Sequence, residues 1–221
     1  MKSKIKLFDP SINKNEERAV IKVLKSGFWA SGAGQGLVEK FENEFKKYVS
    51  SKNCIAVNNG TSALNLALSL IDIKNKEVIV PSLTFVSTIH AITLNGGKPI
   101  FVDVEPDTLC LDVEKTKEAL SKNTRVILPV HFAGMPCKIT EFAEICKNNN
   151  CKLIEDAAHA AGTTYKNQKI GSHGFAVCFS FHPVKNLAMP SGGAITINDN
   201  DHKKIREILL SRRWCGISNR K

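Results

Sequence analysis

The chain has 221 residues, 43% apolar and 24% charged, enough to bury a sizeable core and too apolar for a disordered polymer. Its formal net charge of +10 comes mostly from lysines scattered along the whole length, with no dense basic block carrying interleaved aromatics, which argues for a solvated basic surface and against a nucleic-acid footprint. Seven cysteines without a C-x-x-C pair, an opening "MKSKIKLFDP" without an apolar core, and no run of the ~18 uncharged apolar residues needed to span a membrane predict no disulfide framework, no metal, no membrane and a reducing, cytoplasmic setting.

In chain order, the spacing of apolar residues in "NEERAVIKVLKSG" and "GLVEKFENEFKKYV" predicts two surface helices, the first closed by Gly27, so that about 1–50 forms an N-terminal helical segment. From Cys54 onward, short β-branched runs alternate with helical patterns. "CIAV" precedes a helix from Thr61, "EVIV" a helix after Ser82, "PIFVDV" the segment "DVEKTKEAL", "RVILPV" the segment "TEFAEICKNN", and then comes "KLIE". Such alternation predicts an α/β fold, a mostly parallel sheet sandwiched by helices, with "AVCFSF" and "AITIND" as further strands. Without a repeat, low-complexity tract or linker, residues 1–221 read as one domain.

Ligands of such sheets bind outside the carboxyl ends of the strands, so the informative residues follow strands. In "NNGTSALNLAL", Gly60, Thr61 and Ser62 stand at a strand-to-helix turn that could receive a phosphate, although alone it reads as an ordinary helix cap. Phe85 in "PSLTFVST" offers a flat face for a ring, or a piece of core. Asp156 in "LIEDAAHAAG", with His159 three positions on, is a helix cap or an anion held against a buried cation. Lys185 in "FSFHPVKNLAMPSGGA" sits between an apolar run and a small-residue turn, where desolvation would free its amine as a nucleophile. Together, a phosphate cradle, a stacking ring, a carboxylate at depth and a lysine describe what pyridoxal phosphate needs.

These segments, with "PIFVDVEPDTLCLD", "PVHFAGMPC", "IEDAAHAAGTTYKNQKIGSHG" and "LLSRRWCGI", resemble the nucleotide-sugar aminotransferases of the DegT/StrS family, fold-type-I pyridoxal-phosphate enzymes. The resemblance implies Lys185 as the Schiff-base lysine, Asp156 as partner of the pyridine nitrogen and His159 near the cofactor's phenolic oxygen. It also implies a phosphate held by Gly60 or Thr61, Ser62 and Ser180, with Phe85 on the ring face. The implied reaction moves an amino group from glutamate to a keto group of a nucleotide-linked deoxysugar, for amino-sugar biosynthesis, in a homodimer. The region "SGFWASG" becomes an active-site loop, with Trp29, Ser31 and His182 as substrate candidates; the G-x-G-x-G of "SGAGQG" has no strand before it and does not read as a dinucleotide fingerprint. His131 is expected to be a structural hydrogen-bonding group.

Two departures from the family stand out. The family's "T-G-E-G-G" turn after the lysine reads "MPSGG" here, and the sequence is little more than half the usual family length, so the family's small C-terminal domain is expected to be absent and the chain to be a fragment or a natural truncation. The alternatives are a non-catalytic binding or regulatory protein that keeps the fold, and a sugar dehydratase of the same family, which Lys185 disfavours because those relatives replace the lysine by histidine.

Overall fold

The computed structural model describes residues 5–27, 29 and 36–217. Helix α1 (Lys14–Ser26) opens with a reciprocal cap between Asn13 and Glu16 and ends at Gly27, whose φ of 67° suits a residue without a Cβ. It buries none of its side chains. Helix α2 (Leu37–Val49) buries one face through Glu42, Phe45 and Val49, as an amphipathic surface helix does.

Strand β1 (Asn53–Val57) leads into α3 (Gly60–Leu68), β2 (Glu77–Pro81) into α4 (Val86–Leu94), β3 (Lys98–Val102) into α5 (Val113–Ala119), and β4 (Thr124–Ile127), through a short 3₁₀ turn (Phe132–Gly134), into α6 (Ile139–Asn148). Then follow β5 (Lys152–Asp156), a small hairpin of β6 (Thr164–Tyr165) and β7 (Gln168–Lys169), β8 (Ala176–Ser180), β9 (Gly193–Ile197) and α7 (His202–Arg213). The seven-stranded sheet runs β1-β9-β8-β5-β4-β2-β3. All its pairings are parallel except those of β9, which lies antiparallel between β1 and β8. The expected mostly parallel sheet is therefore observed, with six strands running one way and "AITIND" entering reversed.

Because successive side chains alternate across a strand, each strand feeds two cores. Val78, Val80, Val126, Leu128, Ile154, Cys178 and Ile195 face α3, α4 and α7 through Leu64, Leu68, Ile92 and Leu209. Ile79, Ile127, Leu153, Val177, Phe179 and Ala194 face α2 and α6 through Phe45, Val49 and Phe142. Burial on both faces explains why these strands read as apolar runs. Six of the seven cysteines are buried in this framework, and Cys215 is exposed. No helix among the described residues is long and apolar enough to cross a membrane, and no three His, Cys, Asp or Glu side chains among them are grouped as a metal would require.

One polar cluster ties the edge of the sheet down. Glu42 of α2, only 3% exposed, receives Arg206 and Arg213 of α7 at 3.1 and 2.7 Å. The same carboxylate accepts the backbone N–H of Ala56 at 3.0 Å, and Arg213 donates to the Ala56 carbonyl at 2.8 Å. At Ala56, the outward backbone groups of β1 are thus engaged by two side chains.

Candidate active site

Antiparallel insertion of β9 brings four chain segments to one end of the sheet: the carboxyl ends of β1, β8 and β5 and the start of β9. They meet closely. A Cβ on Gly60 would lie 2.8 Å from the Ser180 Cβ, and one on Gly193 would lie 2.5 Å from the Asn59 carbonyl, so neither position admits a side chain. At the start of α3, Asn59 caps the helix by accepting the Ser62 N–H at 2.7 Å. The first-turn N–H groups of Gly60 and Thr61 have no acceptor within a helix, and Ser180 stands beside them. Because Gly60 lacks a Cβ, Ser180 packs against the first turn of α3, which sets its hydroxyl beside N–H groups of the kind that bind anions such as phosphate.

Asp156 ends β5 and is 4% exposed. Its Oδ2 accepts the Thr88 hydroxyl at 2.9 Å and its Oδ1 accepts the Ala158 N–H at 3.1 Å. No helix follows it: the next residues turn through Ala157 to Thr163, which removes the reading of Asp156 as a helix cap. What remains is a buried carboxylate held by two neutral donors.

Lys185 lies in the loop joining β8 to β9 and is partly buried. Burial holds its ammonium below the usual lysine range, and the charge of Asp156 pulls the other way. Among the described residues it makes no salt bridge. The loop is anchored at its root by Phe179 and Phe181, which meet Phe45 edge-on at 5.0 and 5.5 Å. It is anchored above by Asn186, whose amide donates to the Ala161 carbonyl, and by Ser191, whose hydroxyl donates to the Asn58 carbonyl at 2.6 Å. A carboxylate at Ser191 could not make that donation.

His159 accepts the Ala133 N–H on Nδ1 at 3.2 Å, which leaves the proton on Nε2. Burial, and next the nearby Lys185 charge, lower its pKa below the ordinary imidazole value, against a smaller opposite pull from Asp156. Ala133 makes this contact from a left-handed conformation, φ 50°, uncommon for a residue with a side chain. The ring is a neutral donor through Nε2.

Other expected residues are placed differently. Phe85 stands just before α4 with 73% of its surface exposed, so it is not core. Trp29, equally exposed, turns its indole N–H back to the Leu24 carbonyl, and no described contact joins it to the lysine loop. Ser31 lies outside the described residues. His182 is exposed beside the lysine, and its backbone N–H reaches the Ser180 hydroxyl at 3.4 Å. His131 is wholly buried, with Nδ1 accepting the Cys137 N–H and Nε2 donating to Glu155 at 2.9 Å. Thr88, Asn186 and Ala133 carried no signal in the sequence, since their roles arise from contacts distant along the chain or from backbone conformation, whereas Asn59 is the local helix cap that the turn suggested.

The sequence model of the DegT/DnrJ/EryC1/StrS aminotransferase family matches residues 10–221. The spore coat polysaccharide biosynthesis protein SpsC of Bacillus subtilis is 40% identical over 91% of this chain and 51% of its own. Among solved structures, 3-amino-5-hydroxybenzoic acid synthase superposes with a TM-score of 0.91 at 32% identity, covering 97% of this chain and 56% of that one. The PLP form of Spr1654 from Streptococcus pneumoniae does so with a TM-score of 0.84 at 28% identity, over 94% and 57%. The chain spans about half the length of the curated relatives it matches.

Proposed function

The chain belongs to the DegT/DnrJ/EryC1/StrS aminotransferase family and has the fold of its pyridoxal-phosphate enzymes, and on that premise we propose that it serves the transfer of an amino group, with glutamate as donor, to a keto group of a nucleotide-linked deoxysugar. The observation that carries the reading is the meeting of Lys185, Asp156 and His159 within electrostatic reach of one another, beside the turn at Gly60. The name of SpsC, a polysaccharide biosynthesis protein, supports the sugar substrate.

Pyridoxal phosphate, when bound, supplies an aldehyde that takes up amines and a ring that draws electrons away from the adjacent carbon. The rest of the work falls to the protein. Gly60 and Thr61, through their N–H groups, and Ser62 and Ser180, through their hydroxyls, would hold the phosphate. Asp156 Oδ would stand against the ring nitrogen and keep a proton there. His159 Nε2–H would donate to the phenolic oxygen. Lys185 Nζ, whose ammonium burial holds below the usual lysine range, would act first as the attacking amine and later as the base that takes a proton from the substrate carbon and returns it to the cofactor. Exposed Phe85 has the flat face that would cover the ring. Residues 1–221 would then form the large domain of a homodimeric enzyme.

The test is the absorbance of the purified protein titrated with pyridoxal phosphate. A visible band that glutamate bleaches supports the reading, and its absence at saturating cofactor overturns it. Bleaching by glutamate without turnover of any keto sugar would favour the binding or regulatory alternative.

A further inference from the structure

Asp156 can do the task assigned above only if its carboxylate is held still and stays charged inside the protein. The group that touches Oδ2 is Thr88, wholly buried on the first turn of α4 and 68 positions away in sequence. A helical threonine ordinarily turns its hydroxyl to the carbonyl one turn back. Thr88 instead spends its single proton on Asp156 and receives the hydroxyl of Thr84 at 2.8 Å. The direction of donation follows from chemistry, because an ionised carboxylate can only accept. Thr84 therefore fixes the orientation of Thr88, which in turn holds the carboxylate from one side.

We propose that Thr88 is a positioning residue: by donating to Asp156 Oδ2, with Thr84 behind it, it holds the carboxylate in the orientation from which it keeps the cofactor's ring nitrogen protonated. The inference rests on the function proposed above. A threonine present only to fill space would make a different forecast, because valine has the same shape. The Ala158 N–H would remain on Oδ1 in either case.

The experiment binds pyridoxal phosphate labelled with ¹⁵N in its ring to the wild-type protein and to Thr88→Val, Thr88→Ser and Thr84→Val, and reads the nitrogen resonance as a function of pH. Wild type and Thr88→Ser should show the protonated nitrogen over the same pH range. Thr88→Val should move the signal toward the unprotonated position and slow the glutamate half-reaction about tenfold or more, the scale of one lost charge-assisted hydrogen bond. Thr84→Val, which leaves Thr88 in place, should move it the same way by less, and it serves if Thr88→Val fails to fold. A wild-type nitrogen signal in the folded, cofactor-loaded Thr88→Val protein, or in Thr84→Val if Thr88→Val fails to fold, overturns this inference and leaves the functional reading standing. A wild-type protein that binds no pyridoxal phosphate overturns both.

Discussion

Asp156 and Glu42 are both carboxylates buried to 4% and 3% exposure, and the protein treats them in opposite ways. Glu42 is saturated, with two arginines and a backbone N–H on its two oxygens. Asp156 receives one neutral donor on each oxygen, while Lys185 stays within electrostatic reach without forming a salt bridge to it. An ion pair with arginine consumes a carboxylate's charge in a fixed geometry, whereas neutral donors hold it in place and leave the charge to act on something else. Burial alone does not distinguish a structural acid from a functional one. The identity of the partners does.

Removing the cation that Asp156 does not touch is expected to have the largest effect. Lys185→Ala should abolish covalent attachment of pyridoxal phosphate, read by borohydride reduction and peptide mapping; a pyridoxyl label on another lysine in the wild-type protein would contradict the assignment. Next comes Asp156→Asn, which should leave the cofactor able to attach and the stability little changed while slowing the glutamate half-reaction by orders of magnitude. Equal rates would mean that the carboxylate only shapes the turn at Ala158.

The same isosteric change at the other acid should do the reverse. Glu42→Gln strands the nearly buried Arg213 guanidinium and should cost ~3 kcal/mol in urea unfolding, with cofactor attachment unaffected wherever the variant is folded. Loss of attachment without loss of stability would erase the contrast. The smallest effect is one of pH. His159 and His173 have their pKa values lowered in the folded protein, each chiefly by burial, so the unfolded chain binds more protons below the ordinary imidazole pKa of about 6.5. Their contribution to stability is fully present above that pH and is lost as the pH falls toward the folded values. His159→Gln should flatten part of this slope in urea midpoints measured between about pH 5 and 7.

The strands and the loops after them were legible because strands buried on both faces must be apolar runs, and an α/β sheet places function where those runs end. Lys185 and Asp156 stood out as charged residues at such ends. The direction of β9 was not legible, because "AITIND" has the same composition in either orientation and only the twelve-residue loop before it allows the reversal. Helix α7 hid behind its charges, although Ile205 and Leu209, four apart, face the core. The β6–β7 hairpin turns at Lys166 and Asn167, both left-handed, a residue pair without the usual glycine signal. Glu42 shares the α2 periodicity of Phe45 and Val49, so its burial could have been read, but its two arginines lie more than 160 residues away.

The engaged edge at Ala56 also bears on how copies of this chain meet in a crowded solution. The main sheet has two outer strands, β1 and β3, and an unpaired strand invites another chain to extend it. At β1 the groups that an incoming strand would bind at Ala56 are already engaged by Glu42 and Arg213, while β3 begins Lys98-Pro99, a charge followed by a residue with no N–H to offer. A variant that opens the Glu42 clamp would therefore present a template for intermolecular β-pairing on one side of the sheet, and its failure would take the form of aggregation while the opposite edge stayed quiet.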